Sequence, residues 1–423
     1  MDYRPRIVDR ELDILLGDLP ALALEGPKGV GKTATALRRA ASTFRLDEAG
    51  QREVLAAAPG LIDASPRPVL IDEWPRHPPV WDHVRRCVDD GAGPGSFLLT
   101  GSTAPAETPT HSGAGRIVQV RMRPMSLAER GIEEPTVSLG GLLVGDTPRV
   151  TGTTGITVRD YVEEILSSGL PGVRASPARS RPTQLRGYLA RVVEREFPDQ
   201  GLRVRRPAVL RAWLAAYAAA TATTASYNAL SRAAASGEGQ KAAKTTTLAY
   251  REVLDRLWLL DEVPGWLPTN NRLRRLGQAP KHHLADPAFA AHLLGVDTDA
   301  LLQGRSIGPD IPRDGSLLGA LFESLVTLSV EVYAQANGAT VHHLRTGNGD
   351  HEVDLIVELP NQKVVALEVK LNATPESRDV THLLWLRSQI GPDLLDAAVI
   401  TAGPNAYRRA DGVAVVPAAL LGP

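Results

Sequence analysis

The chain has a single cysteine, Cys87, in 423 residues. An internal disulfide is excluded, and the expected setting is a reducing cytoplasm. Aromatic residues amount to 4%, which leaves few rings for stacking on nucleic-acid bases. The net charge of −1 provides no global basic field, so contact with DNA would rest on local patches. No apolar segment follows the charges of residues 1–10, so no secretion signal is read there. The longest uncharged stretch, Trp213 to Ser231, is rich in Ala, Thr and Ser. It reads as a buried helix and a polar turn, and no membrane span is expected. Lysine is scarce too, with seven residues at 28, 32, 241, 244, 281, 363 and 370 among 47 cations. Arginine serves nearly everywhere else. Lys32 and Lys370 stand in motifs where a compact ammonium suits a tight phosphate or metal site better than a planar fork.

What is present is ordinary in bulk and specific in detail. A hydrophobic share of 43% and a charged share of 22% describe a soluble globular protein, and the length implies several domains. Near the start stands Gly26-Pro27-Lys28-Gly29-Val30-Gly31-Lys32-Thr33, a G-x-x-x-x-G-K-T loop between an apolar strand (21–24) and a helix expected over 33–42. In such a loop the backbone N–H groups surround the phosphates of a nucleotide. Lys32 reaches the β- and γ-phosphates, and the Thr33 hydroxyl ligates Mg²⁺. ATP and Mg²⁺ are the expected cofactors.

Pro68-Val69-Leu70-Ile71-Asp72-Glu73-Trp74 reads as a buried strand with an acidic tip. Asp72 is placed to hold Mg²⁺, and Glu73 to orient and deprotonate the attacking water. Phe97-Leu98-Leu99-Thr100-Gly101-Ser102 ends beside them in a parallel sheet. Thr100 and Ser102 are either sensors of the γ-phosphate or caps of the next turn.

These motifs, with Gly115-Arg116 and Met122-Arg123-Pro124-Met125-Ser126, resemble a family of prokaryotic AAA+ ATPases. Ser168-Gly169-Leu170-Pro171 and Pro280-Lys281-His282-His283-Leu284-Ala285-Asp286 resemble two further elements of that family, so the resemblance spans nearly the whole chain. It departs at Arg195-Glu196-Phe197 and at His283, where the family shows Arg-Asp-Ile and Tyr. The resemblance implies a P-loop core over 1–155. It offers Arg116 as an arginine for the transition-state charge, in cis or from a second copy in a homo-oligomer; Arg195 is the other candidate.

Residues 156–300 read as a helical lid followed by helices at 209–217, 227–234 and 245–257 and a strand at 258–263. That order suggests a winged helix with DNA contacts from Lys241, Lys244, Arg251 and Arg256. Packing of this module against the core is the competing reading. Residues 301–423 alternate α and β. Asp354 falls in the second strand of a hairpin, and Glu368-Val369-Lys370 in the third strand. This layout resembles the PD-(D/E)xK nuclease superfamily, a restriction-endonuclease-like α/β domain, with Glu323 at its helical acidic position. Asp354 and Glu368 would share Mg²⁺, and Lys370, on the same strand face as Glu368, would position the hydrolytic water. His282-His283 and His342-His343 lack the helical spacing of a zinc site and are read as structural or surface residues.

The expected whole is an α/β protein: an ATPase core, a helical and winged-helix middle, and a nuclease-like C-terminal domain acting on nucleic acid. The alternative is a non-catalytic ATP-gated adaptor whose C-terminal domain binds DNA or protein without cutting.

Overall fold

A computed structural model describes residues 3–104, 113–145, 148–235, 244–268, 278–304, 315–347 and 349–423. The first five strands are β1 (Ala21–Glu25), β2 (Ser42–Arg45), β3 (Val69–Asp72), β4 (Phe97–Gly101) and β5 (Val118–Arg121). They form a parallel sheet in the order β2-β3-β4-β1-β5. Every residue of β1, β3 and β4 is buried, as in a parallel sheet covered on both faces. Because β4 lies between β1 and β3, the glycine loop, the acidic tip of β3 and the Thr100 end of β4 meet at one edge of the sheet. The helix expected to reach Ser42 spans only Lys32–Leu37, and Ser42 begins β2. A four-residue edge strand carries too little periodicity to be read from sequence.

The helical region contains Val158–Leu166, Arg181–Arg191, Pro207–Ala219, Tyr227–Ala235, Lys244–Arg256 and Pro287–Leu293, with a π-helical turn at Val192–Glu196. The strand expected over 258–263 is absent. Trp258 takes a left-handed φ of 59°, which a strand does not tolerate. Beyond it the chain makes two isolated bridges, Leu260 to Leu284 and Val263 to Lys281. Arg251 is turned inward: its guanidinium meets Glu262 at 2.9 Å and lies 4.4 Å from the centre of the Tyr227 ring. Lys241, the turn at 236–239 and the side chain of Lys244 lie outside the described residues.

Two short strands, β6 (Val137–Ser138) and β7 (Gly152–Thr153), precede the helical region, and β8 (Gly265–Trp266) follows helix Lys244–Arg256. The rest of the chain supplies β9 (Thr340–Arg345), β10 (Glu352–Glu358), β11 (Val364–Lys370), β12 (Leu394–Thr401), β13 (Asn405–Arg408), β14 (Ala414–Pro417) and β15 (Leu421–Gly422). Eight of them form a mixed sheet ordered β7-β13-β14-β12-β11-β10-β9-β8, and β15 pairs with β6.

Helix Leu317–Ala336 is long and apolar enough to cross a bilayer, yet most of it is buried inside the protein. It packs against helices Leu139–Val144, Val158–Leu166 and Pro287–Leu293. One continuous apolar core therefore joins all three regions, from Val8 to Leu421.

Candidate functional site

Gly26 leaves β1 with φ 152°, and a Cβ there would stand 2.1 Å from the Met122 carbonyl oxygen. Only glycine lets the loop turn so close to the backbone just after β5. Gly31, at φ 106°, turns the chain into helix Lys32–Leu37. The Lys32 ammonium folds back and donates to the carbonyls of Gly26 (2.8 Å) and Pro27 (3.0 Å). Burial pushes its pKa down to about 8, against the pull of Glu73 and Asp72. The Thr33 hydroxyl donates to Asp72 Oδ1 at 2.7 Å, and Thr100 donates to the same oxygen. Glu73 is held in the left-handed region (φ 55°). Its carboxylate accepts from Ser102 and its N–H donates to Thr100 Oγ1. Strain of this kind at an acidic residue is a mark of functional sites.

The loop, β3 and β4 thus bring Lys32, Thr33, Asp72, Glu73, Thr100 and Ser102 together. Mg²⁺ fits this donor set, because a hydroxyl and a carboxylate, both hard oxygen ligands, stand 2.7 Å apart beside the phosphate loop. Beside the loop opens a cavity of about 550 Å³, lined by Lys28, Gly29, Ser102, Tyr188, Arg191 and Glu196 among others. Lys28 bridges to Glu196 at 2.9 Å across its wall. Arg116 is engaged elsewhere: half-exposed, it pairs with Asp89 at 2.9 Å. Arg191, on the helix before the π-helical turn, is the guanidinium that lines the cavity. The spacing-based reading missed it because nothing local to residue 191 shows which face of that helix meets the loop.

Residues 18–130 match the family profile described as "AAA domain". The N-terminal region is an ATPase-like AAA domain. Two other profiles, both described as domains of unknown function, match residues 158–300 (DUF8612) and 318–421 (DUF4143). Uncharacterized proteins of Mycobacterium tuberculosis and Mycobacterium bovis are each 25% identical over 409 residues, covering 94% of this chain and 80% of theirs. A Walker-type ATPase of Pyrococcus abyssi aligns with 69% of this chain and 99% of its own, at 15% identity and a TM-score of 0.41.

The ATPase domain is linked to a second polar cluster. Leu170 and Pro171 lie against Gly29 and Gly31 of the phosphate loop. The two residues before them are held by the wholly buried Asp286, whose carboxylate accepts from the Ser168 hydroxyl and from the Gly169 N–H at 2.7 Å. Five residues upstream of Asp286, Lys281 enters a cavity of about 880 Å³ that also contains Glu323, Glu352, Asp354, Glu368 and Lys370.

Asp354 sits where the pairing of β9 with β10 is irregular, between Val353 and Ile356. A bulge of this kind re-aims a side chain. Its Oδ2 accepts the Val369 N–H at 2.9 Å, beyond the last β10–β11 pair at Leu355 and Leu367. Glu368 Oε1 receives Lys370 at 2.7 Å, and its other oxygen is buried with no hydrogen-bond partner. Burial and the neighbouring Asp354 raise the Glu368 pKa. The residue that sequence reasoning missed is Lys281: its ammonium stands 2.9 Å from both Asp354 and Glu323 and 3.4 Å from Glu352. Burial works against its charge, but those three carboxylates keep its pKa well above the ordinary lysine value. The available signal was its place among seven lysines and inside a motif.

Mg²⁺ does not fit this second set as it stands. Among the described residues only Asp63, His83 and Cys87 converge within 4.8 Å of one another as metal ligands do. The Asp354–Glu368 pairing expected around a shared ion is instead divided between two lysines. Three histidines of the two adjacent pairs pack internally: His282 bonds the Ala225 carbonyl, His343 the Ala279 carbonyl, and burial pushes His283 down to about 3; His342 is part-exposed beside Glu358.

Proposed function

We propose that the chain is a Mg²⁺-dependent ATPase whose nucleotide state governs the C-terminal cavity. The convergence of Lys32, Thr33, Asp72 and Glu73 beside a cavity walled by the helical region carries this reading. Thr33 and Asp72 would hold Mg²⁺, which when bound neutralises charge on the phosphate oxygens. Lys32 would leave its two carbonyls for the phosphates. Glu73, steadied by Ser102, would take a proton from water as its oxygen attacks the γ-phosphorus. The bond to the bridging oxygen then breaks, giving ADP and phosphate. Contacts from Gly29 and Gly31 through Leu170, Ser168 and Asp286 to the segment bearing Lys281 support coupling to the C-terminal cavity, and coupling makes the chain a switch. The test is phosphate release by wild type, Lys32→Ala and Glu73→Gln. Lys32→Ala should lose tight binding and turnover, whereas Glu73→Gln should bind ATP and not turn it over. Normal hydrolysis by Lys32→Ala would sink the reading.

A second reading, cleavage of DNA at the C-terminal cavity, draws on Asp354 at its bulge and the Glu368–Lys370 pair on β11, and requires Lys281 to yield its place on Asp354 to a metal. Incubating plasmid and linear DNA with Mg²⁺ or Mn²⁺, with and without ATP, separates the two readings. Cutting that Asp354→Ala and Lys370→Ala both abolish would favour the nuclease. No cutting would favour a switch that binds DNA or a protein partner.

A further inference from the structure

We infer that Lys281 is the resident cation of the C-terminal acidic cavity and that its ammonium excludes a divalent metal from it. The inference deepens the reading of that cavity and does not depend on ATP hydrolysis. Three carboxylates from two elements, Glu323 on helix Leu317–Ala336 and Glu352 and Asp354 on β10, surround one ammonium whose side chain is 1% exposed. A lysine ammonium has three donors and no acceptor; two go to Glu323 and Asp354 as hydrogen bonds, and Glu352 adds an ion pair at 3.4 Å.

The two nearest oxygens, Glu323 Oε1 and Asp354 Oδ1, stand 2.9 Å from the nitrogen, an ordinary hydrogen-bond distance. Glu368, the other carboxylate a shared ion would need, is turned to Lys370 at 2.7 Å. Asp354 Oδ2 is committed to the Val369 N–H. A metal held by Asp354 Oδ1 and Glu323 Oε1 would therefore have to displace Lys281.

Displacement is opposed by the backbone that carries the lysine. Lys281 N–H donates to the Val263 carbonyl at 2.9 Å, and its own carbonyl accepts from Val263 N–H at 3.0 Å. On the next residue, His282 N–H donates to the Thr223 carbonyl at 2.9 Å and its carbonyl accepts from Ala222 N–H at 2.8 Å. The chain is clamped on both sides of the ammonium. Removing one partner from a buried ion cluster is strongly unfavourable, because the remaining charges lose their compensation. The identity of the residue fits as well. Arginine, which supplies about forty of the cations, presents a planar fork and cannot direct its donors to three oxygens around a single point.

Mn²⁺ titration of the nucleotide-free full chain, read by the electron paramagnetic resonance of free Mn²⁺, tests the inference. An Asp72→Asn background removes the metal position of the ATPase domain. With Lys281 intact, no Mn²⁺ should bind at the C-terminal cavity. Lys281→Met should gain one site per chain, tighter by about 100-fold or more once the opposing charge is gone. Adding Asp354→Asn should abolish that site. Should Lys281→Met fold only when Mn²⁺ is present, the metal would be replacing the lost ammonium, in support of the inference. Lys281→Met with Glu323→Gln restores the charge balance and provides a second folded variant. Binding of one Mn²⁺ by the Lys281-containing protein that Asp354→Asn removes would overturn the inference, since Lys281 would then yield its place. Failure of both Lys281 variants, folded, to bind Mn²⁺ would overturn it equally.

Discussion

Replacing Asp286 by Ala takes an acceptor from three donors at once. Its carboxylate receives the Ser168 hydroxyl, the Gly169 N–H at 2.7 Å and the Ala288 N–H at 3.0 Å, the last capping helix Pro287–Leu293. All three contacts are buried, and Gly169 has no room to shift, since a Cβ there would stand 2.7 Å from the Met125 nitrogen. Hydrogen bonds to a charged group contribute about 1.5–3 kcal/mol each, and an N-cap about 1 kcal/mol. Bonds sharing one carboxylate are not additive, so the loss is about 3–5 kcal/mol. At a urea slope of about 2 kcal/mol per molar, the first unfolding midpoint should fall by about 1.5–2.5 M. Asp286→Asn keeps an acceptor oxygen and should lose less. Tryptophan fluorescence and far-UV circular dichroism across a urea series measure the shift. A midpoint change under about 0.5 M in Asp286→Ala would show that this carboxylate does not hold the Ser168–Pro171 turn in place.

Burial holds the Lys32 ammonium at about 8, and phosphates beside it would raise that value, so ATP binding should take up a proton near pH 8 and weaken as pH rises further. Without nucleotide the sign is opposite: the folded pKa lies below the unfolded one, so this group's contribution to stability rises between about 8 and 10.5. Calorimetry in two buffers of different ionisation enthalpy reads the proton, and Glu25→Gln separates it from Glu25, which burial raises to about 7; no uptake in that variant would count against the argument. Arg191→Ala should lower ATP turnover at least about tenfold, while Arg116→Ala should stay within about threefold; the reverse order would point to Arg116 acting from a second copy. Burial and Asp63 push the Cys87 thiol up to about 12, so its alkylation at pH 8 should be slow and should quicken in Asp63→Ala.

The ATPase motifs were legible because their chemistry is local. Eight consecutive residues build the phosphate loop, and an apolar run with an acidic tip builds β3. Asp354 and Glu368 could be placed on strands for the same reason. Lys281 and Asp286 were not legible in role, because their partners, Asp354 and Ser168, lie 73 and 118 residues away and only the packed fold joins them. The misplaced strand at 258–263 has a single cause. The apolar run was real, but Trp258 adopts a left-handed turn where the helix ends, and the residues after it are spent on bridges to the Lys281 segment. Arg251 shows the same limit, since a cation on an amphipathic helix looks alike whether it faces DNA or Glu262.

The eight-stranded sheet closes on both sides with strands borrowed from elsewhere in the chain. β7, which precedes the helical region, flanks β13, and β8, which follows helix Lys244–Arg256, flanks β9. A gene fragment starting near residue 315 would express the sheet with both of these margins bare, and bare margins recruit foreign strands. The C-terminal part is thus not a cassette to be excised, swapped or fused alone. Recombination that transplanted it without residues 152–153 and 265–266 would leave both margins open to such pairing.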